Sequence, residues 1–211
     1  MRPFAIDLFC GLGGWTEGLL AEGYDVIGFD IERHQYGEHR YPAVMAVQDV
    51  LTLHGSQFKD AALIVASPPC QAYSYRAMPW KRAKALPPPC NALFEACFRI
   101  LREACEAAGR HIPLVVENVR GAQPWVGRAR WNFGSFYLWG DVPALMPLRL
   151  MAGIKQPGDW FSDPNGASRR SSSKSPARKM GSAIIAKIPL PLSRHIGAVF
   201  HSRSVETRHA A

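Results

Sequence analysis

Short apolar runs, each ended by glycine, proline or an acid, alternate along the first two-thirds of the chain with stretches whose apolar positions recur every three or four residues. Phe4–Phe9 is the first apolar run and stops at glycines. Gly14–Glu22 is helix-like, Asp25–Asp30 is a second strand-like run, and residues 61–66 form a third. Pro113–Glu117 and the aromatic Ser135–Trp139 follow, the latter closed by Gly140-Asp141. Between them, Asn91 comes after three prolines and opens a strongly amphipathic segment. Phe94, Cys97, Phe98, Leu101, Cys105 and Ala108 fall on one helical face, and Gly109 is a stop signal. Strands separated by helical stretches predict an α/β fold: a doubly wound, mostly parallel sheet with helices on both faces. The regularity fades after about residue 141, and Ile184–Phe200 reads as helical again around Pro189 and Pro191. The expected organisation is a main domain over 1–140, a short basic segment over 141–182, and a C-terminal helix with a flexible tail over 183–211. No internal repeat is evident.

Composition narrows the class without fixing it. The chain has 211 residues, 47% of them hydrophobic and 20% charged, which fits one globular domain with a small appendage. No apolar run approaches the roughly 20 residues that span a bilayer, and the start goes straight into a strand-like segment, so neither a membrane association nor a signal peptide is expected. Cys10, Cys70, Cys90, Cys97 and Cys105 are an odd set with no close pair at metal-ligand spacing. Reduced thiols in a cytoplasmic setting fit them better than a disulfide framework, and no metal site is expected. The net charge of +8 is lopsided: residues 1–148 hold 14 Lys+Arg and 14 Asp+Glu, so the excess lies in the remainder. Five basic residues fall between Arg169 and Lys179, interleaved with serines, a pattern suited either to phosphate contacts or to a solvated loop.

Candidate chemistry gathers just past the strand ends. Ala61–Val65 leads into Ser67-Pro68-Pro69-Cys70-Gln71-Ala72-Tyr73-Ser74. Two prolines end the ladder, so Cys70 falls on the loop beyond the strand, where open α/β sheets bind ligands. Asp7-Leu8-Phe9-Cys10-Gly11-Leu12-Gly13-Gly14 is a glycine-rich strand-to-helix turn. Such a turn lets a ligand approach the backbone closely. Asp30 ends the second strand, where an acid accepts hydrogen bonds from ribose hydroxyls. No lysine follows the glycines, which favours a nucleoside-type ligand over a triphosphate. Gln48-Asp49-Val50 and Val115-Val116-Glu117-Asn118-Val119 complete the series.

In this order and spacing, DLFCGLGG (7–14), FDIE (29–32), QDV (48–50), SPPCQAYS (67–74) and VVENV (115–119) resemble the cytosine-5 DNA methyltransferase family. The resemblance covers residue 4 to about 140, with a fainter echo of the family's last motif in Ala186-Lys187-Ile188-Pro189-Leu190-Pro191-Leu192. It implies a Rossmann-like fold, S-adenosylmethionine as cofactor, and DNA containing cytosine as substrate. Asp7, Phe9, Gly11, Gly13, Asp30, Ile31, Asp49, Val50 and Pro69 are then expected around the cofactor. Cys70 is the implied nucleophile toward carbon-6 of cytosine, with Glu117 and Asn118 in the catalytic group, and Gln71 and Ser74 contact the substrate.

Three departures qualify the resemblance. The family's Gln-x-Arg-x-Arg element has no clean counterpart: aligned on the last strand, Asn132 stands for one arginine, and shifted by two, Arg128 and Arg130 serve instead. Ala186 stands where the family has asparagine. Only residues 141–182 occupy the place of a target-recognition domain. Phosphate contacts position a protein on DNA whereas base contacts specify sequence. The expectation is therefore a methyltransferase of low sequence specificity, or one dependent on a protein partner or second subunit. A restriction-modification setting is consistent with it. The alternatives are a catalytically weak homologue acting as a DNA-binding or accessory protein, or an enzyme on RNA or single-stranded cytosine.

Overall fold

A computed structural model describes residues 2–74, 85–146 and 175–209, with 177–178 and 202–209 as backbone alone. Most of the basic stretch of 141–182 lies outside the described residues. The apolar runs become strands β1 (Phe4–Leu8), β2 (Asp25–Asp30), β6 (Leu63–Ala66), β7 (Leu114–Asn118) and β9 (Phe136–Gly140). The helices are α1 (Gly14–Ala21), α2 (Ala92–Ala108), a single turn α3 (Gln123–Val126), α4 (Pro176–Ala186) and α5 (Leu190–His209). Four short strands complete the set: β3 (Gln35–Tyr36), β4 (His39–Arg40), β5 (Val44–Val47) and β8 (Trp131–Phe133).

Seven strands form one sheet in the order β5-β2-β1-β6-β7-β9-β8, and β3 pairs with β4 in a separate hairpin. The first five run parallel, and β9 is antiparallel to both its neighbours. This is the doubly wound, mostly parallel sheet that the alternating pattern predicts. Alternate residues of each strand serve opposite faces. Ile6, Leu8, Ile64, Ala66, Leu114 and Val116 pack under Phe94, Cys97, Ile100 and Ala104 of α2. Ala5, Val26, Leu63, Val65 and Val115 pack under Trp15 and Leu19 of α1 and Leu192, Ile196 and Phe200 of α5.

Several local expectations shift. The buried stripe of α2 is rotated toward Ala96, Ile100 and Ala104, while Phe98, Leu101, Cys105 and Ala108 are only partly buried. Gly109 ends this helix in the left-handed region at φ 63°, as the stop signal implies. The single helix expected over Ile184–Phe200 is two, because Pro189 supplies no N–H to continue α4, and the second spans Leu190–His209. Its seating is specific. A Cβ on Gly18 of α1 would lie 2.5 Å from the Arg194 nitrogen, so the two helices meet backbone to backbone.

Candidate active site

Strand pairing alone lines up the groups singled out by sequence. Leu8 pairs with Phe29 and Ala66, and Ala66 pairs with Val116, so β2, β1, β6 and β7 end together. Across that carboxyl edge the order is Asp49 after β5, Asp30 on β2, the glycine turn after β1, the Cys70 loop after β6, and Glu117 on β7. Adjacent strands are about 4.8 Å apart. From β1 the chain adds strands first toward β5 and then, from β6, toward the opposite edge, which makes the shared end of β1 and β6 the topological switch point where such sheets bind ligands.

The glycine turn is built in three left-handed steps: Phe9 at φ 58°, Gly11 at 50° and Gly13 at 76°. Phe9 is the only non-glycine with positive φ among the described residues. Such a conformation costs about 1–2 kcal/mol for an L-residue and clusters at functional sites. Gly11 faces open space, with nothing within 4 Å of where a Cβ would stand, and its N–H donates to Asp30 Oδ2 at 2.9 Å. Gly13 differs, since a Cβ there would meet Pro42 Cδ at 2.4 Å. Gly14 is crossed by the backbone of Ile188 in the same way. Ile188 thus lies against the start of α1, and Lys187 pairs there with Glu17 at 2.5 Å.

Beneath the turn lies a buried polar chain that the sequence reading missed. Thr16 Oγ1 donates to Asp7 Oδ2 at 2.6 Å and shares a 2.6 Å hydrogen bond with Tyr41 Oη. Tyr41 reaches it because Gly28 of β2 has no side chain; a Cβ would be 2.4 Å from the phenol oxygen. Asp7 is 1% exposed, and its Oδ1 has no hydrogen-bond partner. Burial, with a lesser contribution from Asp30, pushes its carboxyl up to about 8. Asp7 thus stands under the turn rather than on its open side. Burial, helped by Asp7 and Asp30, also pushes the Cys10 thiol far up.

Asp30 itself behaves oppositely. Burial works to raise its pKa, yet His34 and the N–H groups of Gly11 and Glu32 outweigh it and hold the carboxyl below its ordinary value. Ile31, next in the chain, is 69% exposed. Asp49 sits beside Asp30 through the Gln48 N–H to Asp30 carbonyl bond at 2.8 Å. Its Oδ1 is already used to cap the turn at Leu51 N–H, 2.9 Å away, and Val50 belongs to the core.

The cysteine loop is tethered at both ends and bare at its tip. Ser67 N–H donates to the Leu8 carbonyl, and Trp15 Nε1 donates to Ser67 Oγ at 2.9 Å. Asn118 Nδ2 donates to the Pro68 carbonyl at 2.9 Å, so this buried residue orders the loop from β7. Tyr73 Oη donates to Asn91 Oδ1 at 2.9 Å, fixing the far end to the start of α2. Between the tethers Pro69, Gln71 and Ala72 are exposed, Cys70 is half-buried, and Tyr73 and Ser74 N–H groups donate back to the Cys70 carbonyl.

The expected arginine substitutes do not join this group. Glu117 pairs with Leu138, which pairs with Trp131, so these three share the α1 face of the sheet. Asn132 is one step along β8 and Arg130 one step before it, which places both on the α2 face. Asn132 Nδ2 donates to its own hairpin at the Gly134 carbonyl, and Arg128 and Arg130 are exposed. A one-residue offset, invisible without strand pairing, puts Asn132 and Arg130 on the face opposite Glu117.

The fold and this row of groups define a class: an open α/β scaffold whose ligand crevice lies at the switch point, with a thiol on one rim and a buried carboxylate on the next strand. Residues 4–123 match the model of the C-5 cytosine-specific DNA methylase family, and the chain belongs to that family. No curated protein matches it. Similar solved structures include a prophage-encoded protein of E. coli described as a DNA modification methyltransferase, at 25% identity and TM-score 0.41, covering 57% of this chain and 33% of that one. The S. pombe Dnmt2 methyltransferase is similar at 19% identity and TM-score 0.40, covering 58% and 36%. The Entamoeba histolytica methyltransferase EhMeth is similar at 18% identity and TM-score 0.41, covering 60% and 41%. The chain matches well under half the length of each.

Proposed function

We propose that this chain carries the cofactor and catalytic sites of an S-adenosylmethionine-dependent DNA cytosine-5 methyltransferase. The observation that carries the reading is the lateral order at the sheet edge: a nucleoside-type turn, the Cys70 loop, then Glu117. The site suits the cofactor on two structural grounds. Gly11 opens to space where any side chain would intrude, and Asp30 is a buried, ionised acceptor beside it. In this reading Asp30 holds the ribose, exposed Ile31 packs on the adenine, and the turn from Phe9 to Gly13 lines the floor. When bound, the cofactor supplies an electrophilic methyl group.

Carbon-5 of cytosine is too weak a nucleophile unaided. The Cys70 thiolate adds its electron pair to carbon-6, forming the S–C6 bond and turning the ring into an enamine nucleophilic at carbon-5. Glu117, buried one strand away, holds the ring nitrogen and exocyclic amine and so stabilises the charge that develops on addition. Once carbon-5 is methylated its proton passes to solvent, the C–H electron pair re-forms the C5–C6 double bond, and the S–C6 bond breaks to release thiolate. The base reaches Cys70 only outside the stack, at a cost of about a few kcal/mol in a duplex. Sequence-independent contacts from the basic 169–179 stretch fit low sequence specificity.

The test is transfer of label from tritiated S-adenosylmethionine to duplex DNA, single-stranded DNA and RNA. Label entering duplex DNA with wild type and absent with Cys70→Ser supports the proposal. Duplex DNA carrying 5-fluorocytosine should also trap a covalent complex through Cys70. Failure to label any cytosine substrate by a folded protein that binds the cofactor sinks the reading.

A further inference from the structure

Asp30 is held on both oxygens, from different sides. Oδ2 takes the Gly11 N–H. Oδ1 stands 3.6 Å from Nε2 of His34 and 3.5 Å from the Glu32 nitrogen. The terminal torsion of an aspartate is broad, so a contact on Oδ2 alone leaves the carboxylate plane free to swing. A partner on Oδ1 removes that freedom. His34 is itself placed, since its Nδ1 lies 3.4 Å from Tyr36 Oη and 3.6 Å from Glu32 Oε1. Tyr36 of the β3–β4 hairpin and Glu32 therefore position an imidazole against Asp30 at the nucleoside end of the crevice.

We propose that His34 is a positioning residue of the nucleoside site, holding the Asp30 carboxylate in the plane in which it accepts the ribose hydroxyls of the cofactor. The inference rests on the S-adenosylmethionine reading above. Among the described residues the groups facing His34 are Asp30 and Glu32 on its own turn, Tyr36 on β3 and Lys179 on α4; Asp7 lies beyond Asp30. The close approach of Asp30, aided by the two carboxylate charges, raises the imidazole above its ordinary range against burial and Lys179. Ribose hydroxyls donating to Asp30 draw on the same carboxylate charge and weaken its hold on a protonated His34. Ligand binding and His34 protonation therefore oppose each other, and affinity falls as pH drops through the His34 titration. Neutral His34 keeps Nε2 facing Asp30, and with its proton on that nitrogen it would keep the carboxylate oriented at higher pH.

Calorimetry of the full chain with S-adenosylhomocysteine, which lacks the sulfonium charge, tests this between about pH 5.5 and pH 8.5. The wild type should lose about tenfold in affinity toward the acid end. His34→Ala should bind about five- to tenfold more weakly at the alkaline end. His34→Gln, which keeps a donor but no charge, should restore binding and remove the pH dependence. The His34 ring resonances should titrate at lower pH when the ligand is added, and should not respond to it in Asp30→Asn. That signal does not depend on how well His34→Ala folds. Wild-type affinity that stays constant while His34 titrates overturns the proposal, as does His34→Ala binding like wild type at both ends. Absence of any binding by folded wild type overturns it too, and is distinguishable because it removes the cofactor reading itself.

Discussion

The two loops that meet at the switch point are built on opposite plans. The glycine turn sits on a close-packed base: Asp7, Thr16 and Tyr41 form a buried chain beneath it, and Pro42 and Ile188 leave no room for a Cβ on Gly13 or Gly14. The cysteine loop has no such base. It is held at its ends by hydrogen bonds from Trp15, Asn118 and Tyr73 and by the Tyr73 ring in the core, while Pro69, Gln71 and Ala72 between them are exposed. A cofactor needs a rigid cradle that fits one shape, so backbone-tight packing suits it. A nucleophile that must meet an incoming base needs a fixed anchor and a reachable thiol. The contrast teaches that stability and reactivity are separated by one strand spacing, and substitutions should reveal the division.

The largest effect belongs to the thiol. Cys70→Ala should lower methyl transfer on the order of 10⁴-fold or more, as removal of a covalent nucleophile does. Its melting temperature should stay near that of wild type, because Cys70 is half-buried and belongs to neither core cluster. A large loss of stability would show that the loop tip is part of the core after all, and would erase the comparison.

The glycine turn should respond in the reverse sense, through stability and pH. Asp7 is held protonated by burial up to about pH 8, whereas in the unfolded chain it ionises near pH 4. Between those values the unfolded state has released a proton that the folded state keeps, so Asp7 costs the fold stability as pH rises, and the cost levels off above about 8. The slope is at most ~1.4 kcal/mol per pH unit. Asp7→Asn mimics the protonated acid and still accepts from Thr16, so its stability advantage over wild type should widen by a few kcal/mol between pH 5 and pH 8. Urea melts across that range provide the measurement, and parallel curves would show that Asp7 ionises freely where it sits.

How much of this was legible beforehand differs between the loops in the same way. The glycines, Asp30, Cys70 and Glu117 announce themselves through residue type and position after apolar runs, and the strands that carry them follow from the same runs. What supports them does not. Tyr41, Thr16 and His34 carry no local signal, since their roles depend on Gly28 letting a phenol through and on a hairpin of two-residue strands too polar to read as strands. Arg130 and Asn132 face away from Glu117 for a geometric reason: a strand of three residues shows no clear alternation, so its facing is undetermined until β9 pairs with it. Val50 was read by its neighbours in sequence, yet its own apolar side chain found the core.

Next in size is the tether from β7. Asn118→Ala removes the donor to the Pro68 carbonyl and the acceptor of the Val119 N–H, both in a residue only 1% exposed. A loss of about 2–3 kcal/mol is expected from two buried partners left unpaired. Transfer should fall further than stability alone explains, because the loop carrying Cys70 loses its fixed height over the sheet. Comparing kcat at saturating DNA with the fraction folded separates the two.

The smallest effect tests the same loop from its other side. Trp15→Phe keeps an aromatic ring in the core beside Leu19 but deletes the Nε1 donor to Ser67 Oγ. The hydroxyl is partly accessible to water, so the net loss should be about 1 kcal/mol or less, plus the smaller ring's lost packing. Trp15 belongs to α1, the helix that begins at the glycine turn, and Ser67 begins the cysteine loop. This hydrogen bond is a direct side-chain link from one loop's scaffold to the other. If the two are mechanically independent, Trp15→Phe should leave S-adenosylhomocysteine affinity unchanged and reduce transfer by no more than about threefold. A drop in cofactor affinity alongside transfer would show instead that the rigid cradle and the reachable thiol are coupled through α1, and the line drawn between them would have to move.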